Sequence, residues 1–100
     1  MQPRERVHVV PLGYEKDRIV LASKQLKAER VILLEEPSER QPEWFQEVRG
    51  ELEELGITVE TESCNIFDMY SVIKAVARIC QRHSDDDMSV NISTGRALLD

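Results

Sequence analysis

Hydrophobic residues in this chain alternate between short β-branched runs and longer stretches with helical spacing. The short runs predict four strands, which cover Arg6–Leu12, Arg30–Glu35, Ile57–Glu62 and Met88–Ser93. The second run (RVILLE) is almost continuously apolar, which is typical of a central strand covered on both faces. The third (ITVETE) alternates apolar and polar residues, which favours a place nearer the sheet edge with one wetter face.

Three helices are predicted between these strands, and they cover about Glu15–Lys27, Pro42–Leu55 and Ile66–His83. Apolar residues at helical spacing define the face that each helix should bury. The expected inward stripes are Ile19, Val20, Leu21, Ala22 and Leu26; then Trp44, Phe45, Val48, Leu52 and Leu55; then Phe67, Tyr70, Ile73, Val76, Ile79 and Cys80. Asn65, with Asp68 three residues on, is the predicted cap of the third helix.

Strands that alternate with helices indicate repeated βα units and a parallel sheet. Right-handed crossovers between four strands then predict an α/β fold, a Rossmann-like three-layer sandwich whose open parallel sheet has the order 3-2-1-4. The first and fourth strands lie side by side in that order. Ligands of such sheets bind beyond the carboxyl ends of the strands, where the strand order reverses. The predicted crevice therefore lies between strands 1 and 4.

Glycine, hydroxyl and basic residues follow the two strands that border this crevice. The predicted ligand-binding residues are Leu12, Gly13, Tyr14, Arg18, Asn91, Ser93, Thr94, Gly95 and Arg96. The two glycines let the backbone approach a ligand closely, and hydroxyls beside free helix N–H groups can hold phosphate oxygens. The two arginines supply charge-assisted donors for a phosphodiester.

Each of these residues also has a plain structural interpretation. A Ser-Thr-Gly turn after a strand is often only a helix N-cap. Tyr14 either stacks on a base or covers the sheet edge, and Arg18 either faces the crevice or pairs with a surface neighbour. The chain has no G-x-G-x-x-G and no Walker lysine, which disfavours the common kinds of dinucleotide and nucleoside triphosphate binding.

The length and net charge of the chain argue against several classes of function. A chain of 100 residues has room for one hydrophobic core. Its net charge of -6 argues against a duplex DNA clamp, which needs a basic face. No apolar run approaches the ~18 residues of a membrane span. The chain has two cysteines and two histidines, Cys64, Cys80, His8 and His83. Their spacing is not that of a zinc site or of a disulfide framework, and the low cysteine content agrees with a protein of the reducing cytoplasm.

Two segments, VHVVPLGYEKDRI (residues 7–19) and SVNISTGRALL (residues 89–99), resemble the ligand loops of CARF domains, the CRISPR-associated Rossmann-fold family. NIFDMYSVIKAVARIC (residues 65–80) is similar to the helix before strand 4 in archaeal CARF transcriptional regulators with a carboxyl-terminal winged helix. The family pattern after strand 4 is Asp or Asn, any residue, Ser or Thr, three residues, then Lys or Arg. Asn91 and Ser93 match this pattern; the basic position falls at Ala97, and the arginine here is Arg96, one residue earlier.

This resemblance implies a ligand-sensing domain over residues 1–100, forming the amino-terminal part of a longer protein. It implies a homodimer that binds a cyclic oligoadenylate across its two-fold axis, and DNA contact only through a further domain. No catalytic residue, metal or cofactor is predicted. Two alternatives stay open: a metal-independent ring nuclease that cleaves the cyclic ligand, and a dimerisation module without a ligand.

Overall fold

Strands and helices alternate strictly along the described part of the chain. The structure is a computed structural model that describes residues 5–11, 16–35 and 43–90. Its elements are β1 (Arg6–Pro11), α1 (Lys16–Gln25), β2 (Arg30–Glu35), α2 (Phe45–Glu54), β3 (Thr58–Ser63), α3 (Met69–Arg82) and β4 (Asp87–Val90). The predicted strands begin within one residue of these, since β-branched runs bounded by charged residues and turns define them well.

The four strands form one parallel sheet with the order β3-β2-β1-β4. In register, Val9 of β1 pairs with Ile32 of β2 on one side and with Val90 of β4 on the other. The predicted Rossmann-like α/β fold and strand order are thereby confirmed. The strand order reverses between β1 and β4, as the sequence predicted.

Alternate residues of the central strands pack into two separate hydrophobic cores, one on each face of the sheet. Val10 of β1 packs on the face covered by α1 and α2, together with Ile19 and Val48. Val9 packs on the opposite face, together with Ile79 of α3. Side chains of a strand point to opposite faces in turn, so both faces of a central strand are apolar. The molecule therefore has three layers: two helices, the sheet, and the third helix.

The predicted inward face of α3 is confirmed at Ile79, which is buried, and at Val76, which packs against the core, but it is wrong at Ile73. Ile73 is 54% exposed, whereas Val72, Ala75 and Ile79 are buried against the sheet. The helix carries apolar residues on two sides, and the side that contains the small Ala75 lets the helix axis approach the strands closely. Other residues predicted to point inward are exposed as well, namely Leu21, Leu26, Leu55, Phe67, Tyr70 and Cys80.

The start of α3 also differs from the prediction. Asp68 is the N-cap residue, and its carboxylate accepts a hydrogen bond from the backbone N–H of Tyr70. The side chain of Asn65 instead accepts from the N–H of Phe67 and so closes a separate turn before the helix. Both residues make hydrogen bonds that suit their short polar side chains, but only Asp68 caps the helix.

In the described ranges, no helix combines the length and the apolar character that crossing a membrane requires.

Candidate functional site

The carboxyl ends of β1 and β4 lie side by side at the point where the strand order reverses. Arg6, Val7, His8 and Val9 of β1 pair in parallel with residues 87–90 of β4, and β1 runs on to Pro11. The two strands therefore end side by side at the same edge of the sheet. This is the place where open parallel sheets bind their ligands.

Most of the predicted ligand-binding residues belong to the segments that follow these strands. Leu12, Gly13, Tyr14, Asn91, Ser93, Thr94, Gly95 and Arg96 lie outside the described residues. Their assignment as ligand-binding residues rests on the sequence. The structure describes only the ends of β1 and β4, which precede them in the chain.

Arg18 is the predicted ligand-binding residue that the structure describes. It is exposed and lies in the first turns of α1, which begins five residues after the end of β1. It forms no ion pair with another described residue, so the surface pairing considered from the sequence is not seen in that part of the chain. An unpaired guanidinium near the strand ends suits an anionic ligand.

A buried polar pair joins β1 to the last turn of α1 in the interior of the domain. The hydroxyl of Ser23 donates to the carbonyl oxygen of Ile19 at 2.7 Å, and His8 Nδ1 lies 3.0 Å from the same hydroxyl. Because the hydroxyl proton is used, Nδ1 carries the hydrogen and donates it to the Ser23 oxygen. Burial lowers the pKa of His8, which favours the neutral ring. The sequence offered only one hint of this pair, a histidine among the valines of RVHVVPL.

Charged residues gather at the opposite, amino end of the sheet. The guanidinium of Arg30 contacts the carboxylate of Glu5 and, at 3.0 Å, that of Glu60. His83 Nδ1 lies 2.8 Å from the carboxylate of Asp86. This contact, and a hydrogen bond from the backbone N–H of Glu5, lower the pKa of Asp86. These contacts tie β1, β2, β3 and the start of β4 together.

Three of these groups are close enough to hold a metal ion. Ligand atoms of Glu5, His83 and Asp86 all lie within 4.8 Å of one another. Local spacing in the sequence could not reveal this group, because Glu5 and Asp86 are 81 positions apart. The ion pair with Arg30 and the hydrogen bonds within the group already satisfy much of its polar capacity, which makes it a structural cluster.

Comparison with solved structures agrees with the fold. The chain resembles the crystal structure of an NADPH-dependent 3-quinuclidinone reductase from Rhodotorula rubra with a TM-score of 0.52 and 14% sequence identity. The match covers 81% of this chain and 30% of the reductase, so the chain spans less than a third of that protein's length. At this identity the likeness supports the fold alone. No curated protein matches the chain.

A protein-family model gives a more specific assignment. The match extends over residues 6–99 and therefore includes every described strand and helix, as well as the segments after β1 and β4. The chain thus belongs to the family described as "HFX_2341_N:-like, N-terminal", an amino-terminal domain family of regulators.

Proposed function

We propose that this domain is the ligand-sensing part of a regulator and that it binds a cyclic oligoadenylate across a homodimer. The observation that carries the proposal is the parallel pairing of β1 with β4, whose last residues, Pro11 and Val90, lie at the same edge of the sheet. The segments that follow them in the chain hold the residues that resemble CARF ligand loops. Membership in a family of regulator amino-terminal domains agrees with a sensing role.

The chemistry of the two segments suits a ligand made of phosphodiesters. Ser93 and Thr94 carry hydroxyl donors, and Arg96 carries a guanidinium that can form paired hydrogen bonds with a phosphate. Arg18, exposed and unpaired among the described residues, adds a second positive group on the side of α1. A net charge of -6 makes such local groups important, because the domain as a whole repels anions.

Two-fold symmetry explains how few groups a single chain has to contribute. A cyclic oligoadenylate with an even number of nucleotides has a two-fold axis, and a dimer of this domain would share that axis. Each phosphate-binding residue would then act twice on one ligand. The expected stoichiometry is one ligand for two chains.

Titration calorimetry with cyclic tetra-adenylate tests this proposal. We expect saturable binding at one ligand per two chains, with the linear tetra-adenylate as the control for ring recognition. Arg96→Ala should weaken binding about tenfold or more, the usual loss for a charge-assisted contact, and should flatten its salt dependence. Arg78→Ala is a matched control, since Arg78 is exposed on α3, in the layer on the other face of the sheet from α1.

The alternatives give different results in the same assay. Conversion of the cyclic ligand into linear products, followed by chromatography, would assign the domain as a ring nuclease. Absence of binding by a demonstrated dimer would leave a dimerisation module whose Ser-Thr-Gly turn only caps a helix. Equal binding by the wild type and Arg96→Ala would contradict the proposed contact.

A further inference from the structure

Four large apolar side chains are exposed at one edge and on one face of the sheet. Phe67, Met69 and Tyr70 lie at the amino end of α3, which follows β3 and therefore begins at the carboxyl edge of the parallel sheet. Val90 ends β4 at the same edge, and its register with Val9 places it on the face that α3 covers. These four exposed residues form the carboxyl-edge patch, and each has between 38% and 66% of its surface exposed.

The composition and the place of this patch are those of a contact surface. Single exposed apolar residues are ordinary on soluble proteins, whereas several that lie together mark a site of interaction. Two of the four side chains are aromatic, and Met, Phe and Tyr are enriched where proteins meet. The patch lies at the edge where β1 and β4 end, which is the edge that we propose for the shared ligand.

Two opposite charges lie on either side of Tyr70 along the helix. The Asp68 carboxylate caps α3, and the ammonium group of Lys74 lies 4.6 Å from the centre of the Tyr70 ring. Both charged residues are exposed, and neither forms an ion pair with another described residue. A two-fold axis near Tyr70 would bring Lys74 of each copy towards Asp68 of the other, because equivalent residues exchange places across such an axis. The surface is therefore complementary in charge to itself.

We infer that the carboxyl-edge patch is the surface on which a second copy of this chain docks. The inference rests on the proposed function, since it supplies the contact that holds two copies around one ligand. Tyr70 of each copy packs on the apolar patch of the other, and two pairs of Asp68 with Lys74 border the contact. An anionic membrane or a nucleic acid fits this surface less well, because Asp68 and the net charge of -6 repel both.

The size of the patch gives the ligand a part in holding the dimer together. A standard protein interface buries about 800 Å² on each partner. The exposed parts of the four side chains supply roughly half of that area, since a whole aromatic side chain buries about 150–250 Å². The cyclic ligand and the segments that bind it supply the rest, so the dimer should tighten when the ligand is added.

Sedimentation velocity with and without cyclic tetra-adenylate tests this surface. Tyr70→Ser should raise the dissociation constant of the dimer about tenfold or more, because the two-fold axis applies the change twice. Leu21→Ser is the matched control, since Leu21 is also exposed but lies on α1, on the other face of the sheet, and this variant should dimerise like the wild type. Circular dichroism should show both variants folded, because each replaces an exposed side chain.

The charged pair has its own test. Asp68→Asn keeps a good helix cap but removes the carboxylate charge, and Lys74→Gln removes the ammonium group. Each should weaken the dimer about fivefold, and the double variant should be no weaker than either alone, because both changes break the same contact. Arg78→Gln, one turn further along α3, removes a positive charge outside the patch and should dimerise like the wild type.

The results that contradict this inference differ from those that contradict the proposed function. A Tyr70→Ser protein that dimerises and binds cyclic tetra-adenylate like the wild type places the contact elsewhere and leaves the ligand proposal intact. A dimer that Tyr70→Ser dissociates, in a protein that binds no ligand, supports the surface and contradicts the sensing role. A wild type that stays monomeric with and without the ligand overturns the inference. So does a monomer that binds phosphatidylserine vesicles through Tyr70, which would assign the patch to a membrane.

Discussion

His8 on β1 and Ser23 on α1 form a buried side-chain hydrogen bond of 3.0 Å between the sheet and the first helix. Both residues have no exposed surface. The bond places one polar link inside an apolar layer, so it fixes the position of α1 on the sheet as well as the tautomer of the imidazole. Several expectations for stability follow from this link.

Replacing Ser23 by alanine should destabilise the domain. His8 Nδ1 would keep its hydrogen and lose its acceptor, which costs about 1–3 kcal/mol of unfolding free energy for a buried group. Urea denaturation followed by circular dichroism measures the change. Ser84→Ala, at an exposed position, should stay within about 0.5 kcal/mol of the wild type. Equal urea midpoints for the two variants would show that the hydrogen bond between His8 and Ser23 does not contribute to stability.

The same histidine should make stability depend on pH. Burial lowers the pKa of His8 below its ordinary 6.5, so in acid the unfolded chain binds a proton that the folded chain does not. The unfolding free energy should therefore fall as pH drops below about 6.5, by at most ~1.4 kcal/mol per pH unit. Above that pH both states hold a neutral ring, and His8 adds no pH dependence.

His8→Asn provides the comparison, because its amide can still donate towards Ser23 but does not titrate. Between pH 7.5 and 5.5 the urea midpoint of the wild type should fall further than that of His8→Asn, and the difference between the two falls measures the contribution of His8. Parallel pH profiles for the two proteins would contradict the assignment of the pH dependence to His8.

The two isoleucines of α3 should respond very differently to truncation. Ile79 is fully buried, whereas Ile73 is 54% exposed. We expect Ile79→Ala to cost about 2–5 kcal/mol and Ile73→Ala about 0.5 kcal/mol or less. The matched chemistry makes the comparison a test of the helix orientation. A larger loss at Ile73 would mean that α3 packs through its other side.

The sequence predicted the strands and their order because short β-branched runs, turn residues and right-handed crossovers leave few arrangements of four strands joined by three helices. It predicted the burial of Ile79 correctly but placed Ile73, which is exposed, on the same inward face of α3. Apolar residues lie on more than one side of this helix, and the residues that are buried against the sheet are Val72, Ala75 and Ile79. Which apolar residues of α3 are buried is therefore decided by packing in three dimensions.

The candidate site was likewise predicted from the sequence only in part. The crevice between β1 and β4 follows from strand order, which the sequence pattern supplies. The pairing of His8 with Ser23 does not follow, because the two residues are 15 positions apart and meet only when α1 folds back on β1. The register of Arg6 with Asp87 likewise depends on the whole chain between them.

Sedimentation analysis should show a dimer in solution at tens of micromolar. The expectation rests on the two-fold symmetry of the proposed ligand, since one chain has only a few residues that we propose as phosphate-binding groups. Addition of cyclic tetra-adenylate should stabilise the dimer further, because ligand that binds only the dimer shifts the equilibrium by mass action. A monomer at every concentration, with or without the ligand, would count against the shared site.

Mapping of backbone amide shifts by NMR during titration with cyclic tetra-adenylate tests where the ligand binds. We expect saturable shifts at the carboxyl ends of β1 and β4, at Val10, Val90 and the residues from Asn91 to Arg96. The amides of Arg6 and Asp87, at the amino ends of the same strands, should stay unchanged. Shifts confined to those amino ends, or no saturable shift in a folded dimer, would contradict the placement of the ligand where the strand order reverses.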